Sequence, residues 1–237
     1  MTVINDDIQV MESSNVHIFY SQIICDEMES SAKVRGTGIA KRSPDYISQK
    51  MQEGKAVIAL TKDGTWVGFC YIETWEGEYV ANSGLIVSPD FRKTGVAKNI
   101  KQKIFDLSRR KYPDAKIFGL TTGLAVMKIN SDLGYEPVTY SELTQDEKFW
   151  AGCKSCVNYD ILMAKERKNC LCTAMLYDPK EHAPIEQIKE EFKENAHIFE
   201  RFMKIKKFSF LQGLFEKGKM SDTKVRSFAK MMMSIVN

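Results

Sequence analysis

VSPDFRKTGVA, residues 87–97, reads as the end of an apolar strand, a basic turn and the opening of a helix. Pro89 stops the strand after Val87, Arg92, Lys93 and Thr94 fill the turn, and Gly95 starts a helix continued by Val96 and Ala97. The first N–H groups of a helix have no carbonyl one turn back to accept them, and they lie at the positive end of the helix dipole. They are a ready cradle for a phosphate. Gly95 permits close approach and Ala97 keeps the wall low. A basic surface turn that happens to hold a glycine is the plainer reading of the same residues.

Working upstream, AVIAL from Ala56, WVGFCYIETW and YVANSGLIV are separated by Lys62-Asp63-Gly64 and Glu76-Gly77-Glu78, which predicts an antiparallel meander of three strands. Before it, Ile8 to Met11 reads as a strand. Asn15 to Ala32 and Ser43-Pro44 to about Met51 read as helices, separated by AKVRGTGIAKRS. Downstream, the segment from Gly95 to about Tyr112 places Val96, Ile100, Ile104 and Leu107 on one side. Lys98, Lys101, Lys103, Arg109 and Arg110 fall largely on the other. AKIFGLTT, LAVMKINSDLG and YEPVTY follow as strand, helix and strand, and CVNYDILM as a further strand. This order predicts an α+β domain with a mixed, mostly antiparallel sheet flanked by helices.

At 237 residues the chain has room for one main domain and an appendage. The polar, proline-flanked YDPKEHAP (177–184) marks the boundary, giving a domain over 1–178 and a linker with a helical C-terminal extension over 179–237. A 43% hydrophobic, 27% charged composition without a long apolar run argues against a membrane span, and the acidic MTVINDDIQV start against a secretory signal. A cytoplasmic protein is the expectation. The overall +3 gives no case for nucleic acid. In the tail, Ile188, Phe192, Phe199, Phe202, Met203 and Ile205 form an apolar stripe between lysines, suited to packing on the body or on a second copy in a homodimer.

The string Val87, Pro89, Arg92, Gly95, Ala97, read as V-x-P-x-x-R-x-x-G-x-A, resembles the acetyl-CoA-binding motif of the GNAT (Gcn5-related N-acetyltransferase) superfamily. Leu133-Gly134-Tyr135, closing a helix after AKIFGLTT, resembles its second motif. The resemblance implies a GNAT fold whose sheet splays between the strands ending at Val87 and at Thr121, with pantetheine in the slot. It implies cofactor contacts from Val87, Arg92, Lys93, Thr94, Gly95, Val96 and Ala97, and direct attack of an amine on the thioester. Many members have a tyrosine acid where this chain has Asn130, which can hydrogen-bond a thiolate but cannot protonate it. For the base, Glu73 is preferred to Glu76 and Glu78 because Ile72 and Trp75 flank it. Asn82 and Ser83 are further polar groups beside the thioester.

Lys33, Arg35, Lys41 and Arg42, around Gly36 and Gly38, suit carboxylates of an acceptor. A solvated loop, or one contacting the 3′-phosphate of coenzyme A, is the other reading. Beyond the superfamily, SAKVRGTGIAKRSP, GFCYIETW, KIFGLTTGLAVMKIN and SCVNYDIL resemble a Bacteroidetes group associated with arginine biosynthesis, thought to be N-acetylglutamate or N-succinylglutamate synthases. That resemblance implies glutamate as the small amino-acid acceptor and acetyl-CoA or succinyl-CoA as donor. A protein or polyamine acetyltransferase, and a regulatory module that binds acyl-CoA without turnover, are the alternatives. Cys153, Cys156, Cys170 and Cys172 have a spacing open to zinc or to buried free thiols, and the reaction itself requires no metal.

Overall fold

The computed structural model describes residues 7–35, 41–75 and 77–182, and the chain divides into two units, Met1–Asp178 and Pro179–Asn237. The helices expected over 185–237 and their apolar stripe lie outside the described residues, as do Gly36, Gly38 and Glu76.

The first unit is built on a seven-stranded sheet in the order β1-β2-β3-β4-β5-β7-β6. The strands are β1 (Ile8–Glu12), β2 (Ala56–Thr61), β3 (Trp66–Trp75), β4 (Tyr79–Val87), β5 (Lys116–Thr121), β6 (Glu136–Val138) and β7 (Thr173–Tyr177). All neighbours are antiparallel except β4 and β5. β3 is buried from Trp66 to Ile72, where both of its faces are covered. Trp66, Phe69 and Tyr71 pack with Ile24 and Met28 of α1 (Ser21–Arg35) and Ile47 and Met51 of α2 (Pro44–Gln52). Val67, Cys70 and Ile72 pack with Ile100, Ile104 and Leu107 of α3 (Val96–Lys111). α4 (Leu124–Asp132) adds Met127 to the α3 face.

Several boundaries differ from the sequence reading. Asn15–Tyr20 is a 3-10 turn opened by Ser14 in a reciprocal cap with His17, and the α-helix begins only at Ser21. CVNYDILM is not a strand: residues 159–164 form the short helix α6 (Tyr159–Ala164), after α5 (Glu147–Ala151). A short apolar run without a period is compatible with either structure, and packing decided for the helix. The strand inserted between β5 and β6 is instead TAMLY of β7. Lys101, which the helical pattern places on the polar side of α3, is 2% exposed.

Candidate active site

Between β4 and β5 only three rungs form, Tyr79↔Lys116, Val80↔Ile117 and Ala81↔Phe118. Beyond them β4 pairs only with β3, and β5 only with β7, so the two parallel strands part at Asn82 and Gly119. The cause is local. A bulge between β3 and β4 gives β4 an extra residue, with Gly84 at φ 64, which bends the strand away from its neighbour. A Cβ on Gly84 would lie 2.4 Å from the Tyr71 ring, so the position needs both the left-handed backbone and the missing side chain.

The opening leads into a cavity of about 540 Å³. One wall is polar. Arg42 Nε donates to the Tyr71 hydroxyl at 2.9 Å, and its guanidinium lies 5.2 Å from the centre of the Tyr46 ring. No described carboxylate forms an ion pair with Arg42. Beside it, Glu73 accepts from Lys50 Nζ at 2.7 Å and from the Tyr46 hydroxyl. Burial and the neighbouring Tyr71 and Glu73 push the Tyr46 hydroxyl far above the ordinary phenol range. The lining also includes Phe118, Phe149 and four thiols, of which Cys153 lies close to Arg42.

Of the expected acceptor residues whose side chains are described, Lys33, Lys41 and Arg42, Arg42 lines the cavity. Lys33 and Lys41 both pair with Glu29, at 3.1 and 3.5 Å, on the exposed surface, and Arg35 is the last residue of α1. Glu73 does line the cavity, but its carboxylate is already engaged by Lys50 and Tyr46, which orients that wall more than it frees a base. Glu73→Gln removes the charge facing a nearly buried ammonium, and we expect it to cost about 2 kcal/mol in urea denaturation. Glu73→Leu combined with Lys50→Met, which removes both charges, is expected to recover most of that loss. Tyr46, Lys50 and Tyr71 gave no signal in the sequence, since each is defined by partners more than 20 residues away.

Asn130 is 1% exposed and lines the cavity next to Gly119, whose absent side chain leaves Asn130 Nδ2 3.6 Å from the ideal Cβ position. Its Oδ1 is buried without a partner, and its Nδ2 reaches only Met175 Sδ at 3.7 Å. An orphaned buried amide beside a strand edge is a group disposed toward a ligand. Asn82 also lines the cavity, but its Nδ2 donates to Ser108 and its Oδ1 accepts from Tyr135.

At the mouth of α3, Lys93 and Gly95 take φ 64 and φ 89, so successive N–H groups curl inward ahead of Val96 and Ala97. The Val96 side chain is in the core, leaving its backbone as the contact it can offer. Arg92, expected as a cofactor contact, also braces the turn. It donates to Val87 O, Glu27 Oε1 and Ser31 Oγ, tying the turn to α1. Thr94 Oγ1 likewise donates back to Phe91 O.

The four cysteines are free thiols, all lining the cavity. With residues 159–164 helical, CVNYDILM makes no hairpin with CLCTAML that would put the two cysteine pairs at opposite ends. Even so, no group of three or more His, Cys, Asp or Glu among the described residues is placed to hold a metal ion. Burial and the neighbouring thiols push Cys153 up to about 11 and Cys172 up to about 12. Among the described residues no helix is long and apolar enough to cross a membrane.

Parallel strands that part over a lined cavity, next to a helix mouth with unpaired N–H groups, are an arrangement that could hold a phosphate-bearing ligand. Residues 25–125 match the model of the Acetyltransferase (GNAT) family. Among solved structures, the chain is similar to N-acetylglutamate synthase from Neisseria gonorrhoeae complexed with coenzyme A and N-acetyl-glutamate. The identity is 16% over 72% of this chain and 35% of that one, with a TM-score of 0.52. It is also similar to Rv2747 from Mycobacterium tuberculosis in complex with CoA, at 15% identity over 72% and 98%, with a TM-score of 0.52. The chain thus spans about a third of the length of the Neisseria enzyme. No curated protein matches it in sequence.

Proposed function

We propose that this protein transfers the acyl group of acetyl-CoA to the amino group of a small acidic amino acid, glutamate being the first to test. The observation that carries the reading is Arg42. Its guanidinium lines the cavity with the Tyr71 hydroxyl, the Lys41 carbonyl and the Tyr46 ring as partners, and no described carboxylate lies within ion-pair distance, Glu73 acting on it only through space. A planar cation so held is suited to a carboxylate, which it binds in a fork. A polyamine would need unneutralised acid at that wall, where Glu73 is already matched by Lys50.

The parts then divide the work. The α3 mouth, with Lys93, Gly95, Val96 and Ala97, would take the pyrophosphate of the donor. The β4 and β5 edges past Ala81 and Phe118 would hydrogen-bond pantetheine amides as an added strand does. Arg42 would fix the acceptor, so that its amine meets the thioester over the splay. Asn130, with amide hydrogens and no strong partner, would steady the departing sulfur. The Neisseria relative, solved with N-acetyl-glutamate, agrees with an acidic acceptor.

Arg42→Leu tests this. The kcat/KM for glutamate should fall about 100-fold through KM, as when one partner of a buried charged contact is removed, while acetyl-CoA affinity stays within a factor of three. An unchanged KM for glutamate would contradict the assignment.

A further inference from the structure

Lys101 is a charged residue of the cavity wall that the functional reading above does not use. It springs from the second turn of α3 and lies inside the protein, yet it lines the cavity at the point where β4 and β5 part. Its Nζ is 3.5 Å from Oδ1 of Asn82, the first β4 residue past the last rung. Asn130 stands beside Gly119, the first β5 residue past the same rung. Two polar side chains from α3 and α4 therefore flank the apex of the splay, where the reading places donor and acceptor together.

No described carboxylate pairs with Lys101. Its surroundings are the Asn82 amide, the Tyr135 ring 5.2 Å from Nζ, and Cys70 of β3. Tyr135 also reaches Asn82 Oδ1 through its hydroxyl, at 2.9 Å, but it does not line the cavity. A lysine this enclosed, with three hydrogens and one long contact, is costly as a plain structural group.

We propose that Lys101 is the proton-handling residue of the acyl transfer, and this rests on the acyltransferase reading. As a neutral amine, Nζ takes one proton from the acceptor ammonium. The freed nitrogen attacks the thioester carbonyl, the C–N bond forms, and the C–S bond breaks with its electron pair on sulfur. Nζ then returns its proton to that sulfur, and the second proton lost by the nitrogen leaves to water, so that amide, thiol and one released proton balance. The chemistry needs a basicity near that of a thiol, and burial does lower the Lys101 pKa from the ordinary lysine value, with Cys70 acting the other way. This supplies what Asn130 cannot.

Lys101→Met keeps length and apolar character, and removing a buried amine favours folding. The expected result is a kcat lowered about 100-fold, with acetyl-CoA affinity and acceptor KM within a factor of three. The ionisation that limits wild-type kcat at low pH should also disappear from the profile. A kcat within threefold of wild type, or a lowered kcat that keeps that ionisation, overturns the proposal. If the variant does not fold, 15N NMR of ζ-labelled lysine in the unaltered protein decides. One Nζ must titrate with the midpoint seen in kcat, and the absence of any such match overturns the proposal. Wild-type protein inert with every acceptor would instead refute the acyltransferase reading itself.

Discussion

Gly84→Ala is expected to lower the melting temperature by about 10 °C and to weaken acceptor binding in the same protein. The backbone at Gly84, φ 64, costs an alanine about 1–2 kcal/mol. The new Cβ would also meet Tyr71 Cε1 at 2.4 Å and Met28 Cε at 2.9 Å, and overpacking of that kind costs about 1–3 kcal/mol more. Met28 is flexible and can yield, but Tyr71 is held between Phe69, Tyr46 and Arg42. The ring must move or the bulge must straighten. Moving the ring displaces the hydroxyl that positions Arg42. Straightening the bulge brings β4 back toward β5 and narrows the slot. A destabilisation of about 4 kcal/mol in a unit of this size corresponds to the stated shift, read by calorimetry. A melting temperature within 2 °C of wild type, with acceptor KM unchanged, would show that the bulge does not govern the splay.

Gly95→Glu carries the other large effect, on donor binding. A carboxylate at the α3 mouth would stand about 4 Å from a bound pyrophosphate, where like charges repel by about 4 kcal/mol at an effective dielectric near 20. The φ of 89 at this position adds backbone strain for any side chain. Coenzyme A affinity in calorimetric titration should fall about 1,000-fold, with the effect shrinking as salt rises. Gly95→Ala, which has the strain without the charge, should lose far less. Equal losses in the two variants would mean that shape rather than charge matters at the turn.

The turn and the bulge differ in how far the sequence announces them. Strand, proline, glycine and amphipathic helix follow one another within residues 79–111, so β4, the turn and α3 are legible from local periods and breakers. The bulge is not, because Gly84 acquires its meaning from the Tyr71 ring on the neighbouring strand. Charge proved readable as a cluster but not residue by residue. Glu29, four positions before Lys33, was a visible partner that draws Lys33 and Lys41 away from the cavity. Arg92 finds Glu27 across 65 residues, which no spacing reveals. Lys101 was misplaced because a helical pattern assigns a charged residue beside Ile100 to solvent, while a long lysine stem can equally run inward along apolar neighbours. CVNYDILM, too short to show a period, took its helical form from packing that brings Leu162 against Phe118 and Trp150.

Release of free coenzyme A thiol from acetyl-CoA tests most directly whether the splayed cavity is a site of acyl transfer to an acidic amine. With purified protein, thiol release should rise saturably with glutamate, the N-acetylated product should appear in equal amount by mass spectrometry, and spermidine should give no more than background. Thiol release at the background rate across glutamate, aspartate and ornithine, or release that saturates only with polyamines, would contradict that role.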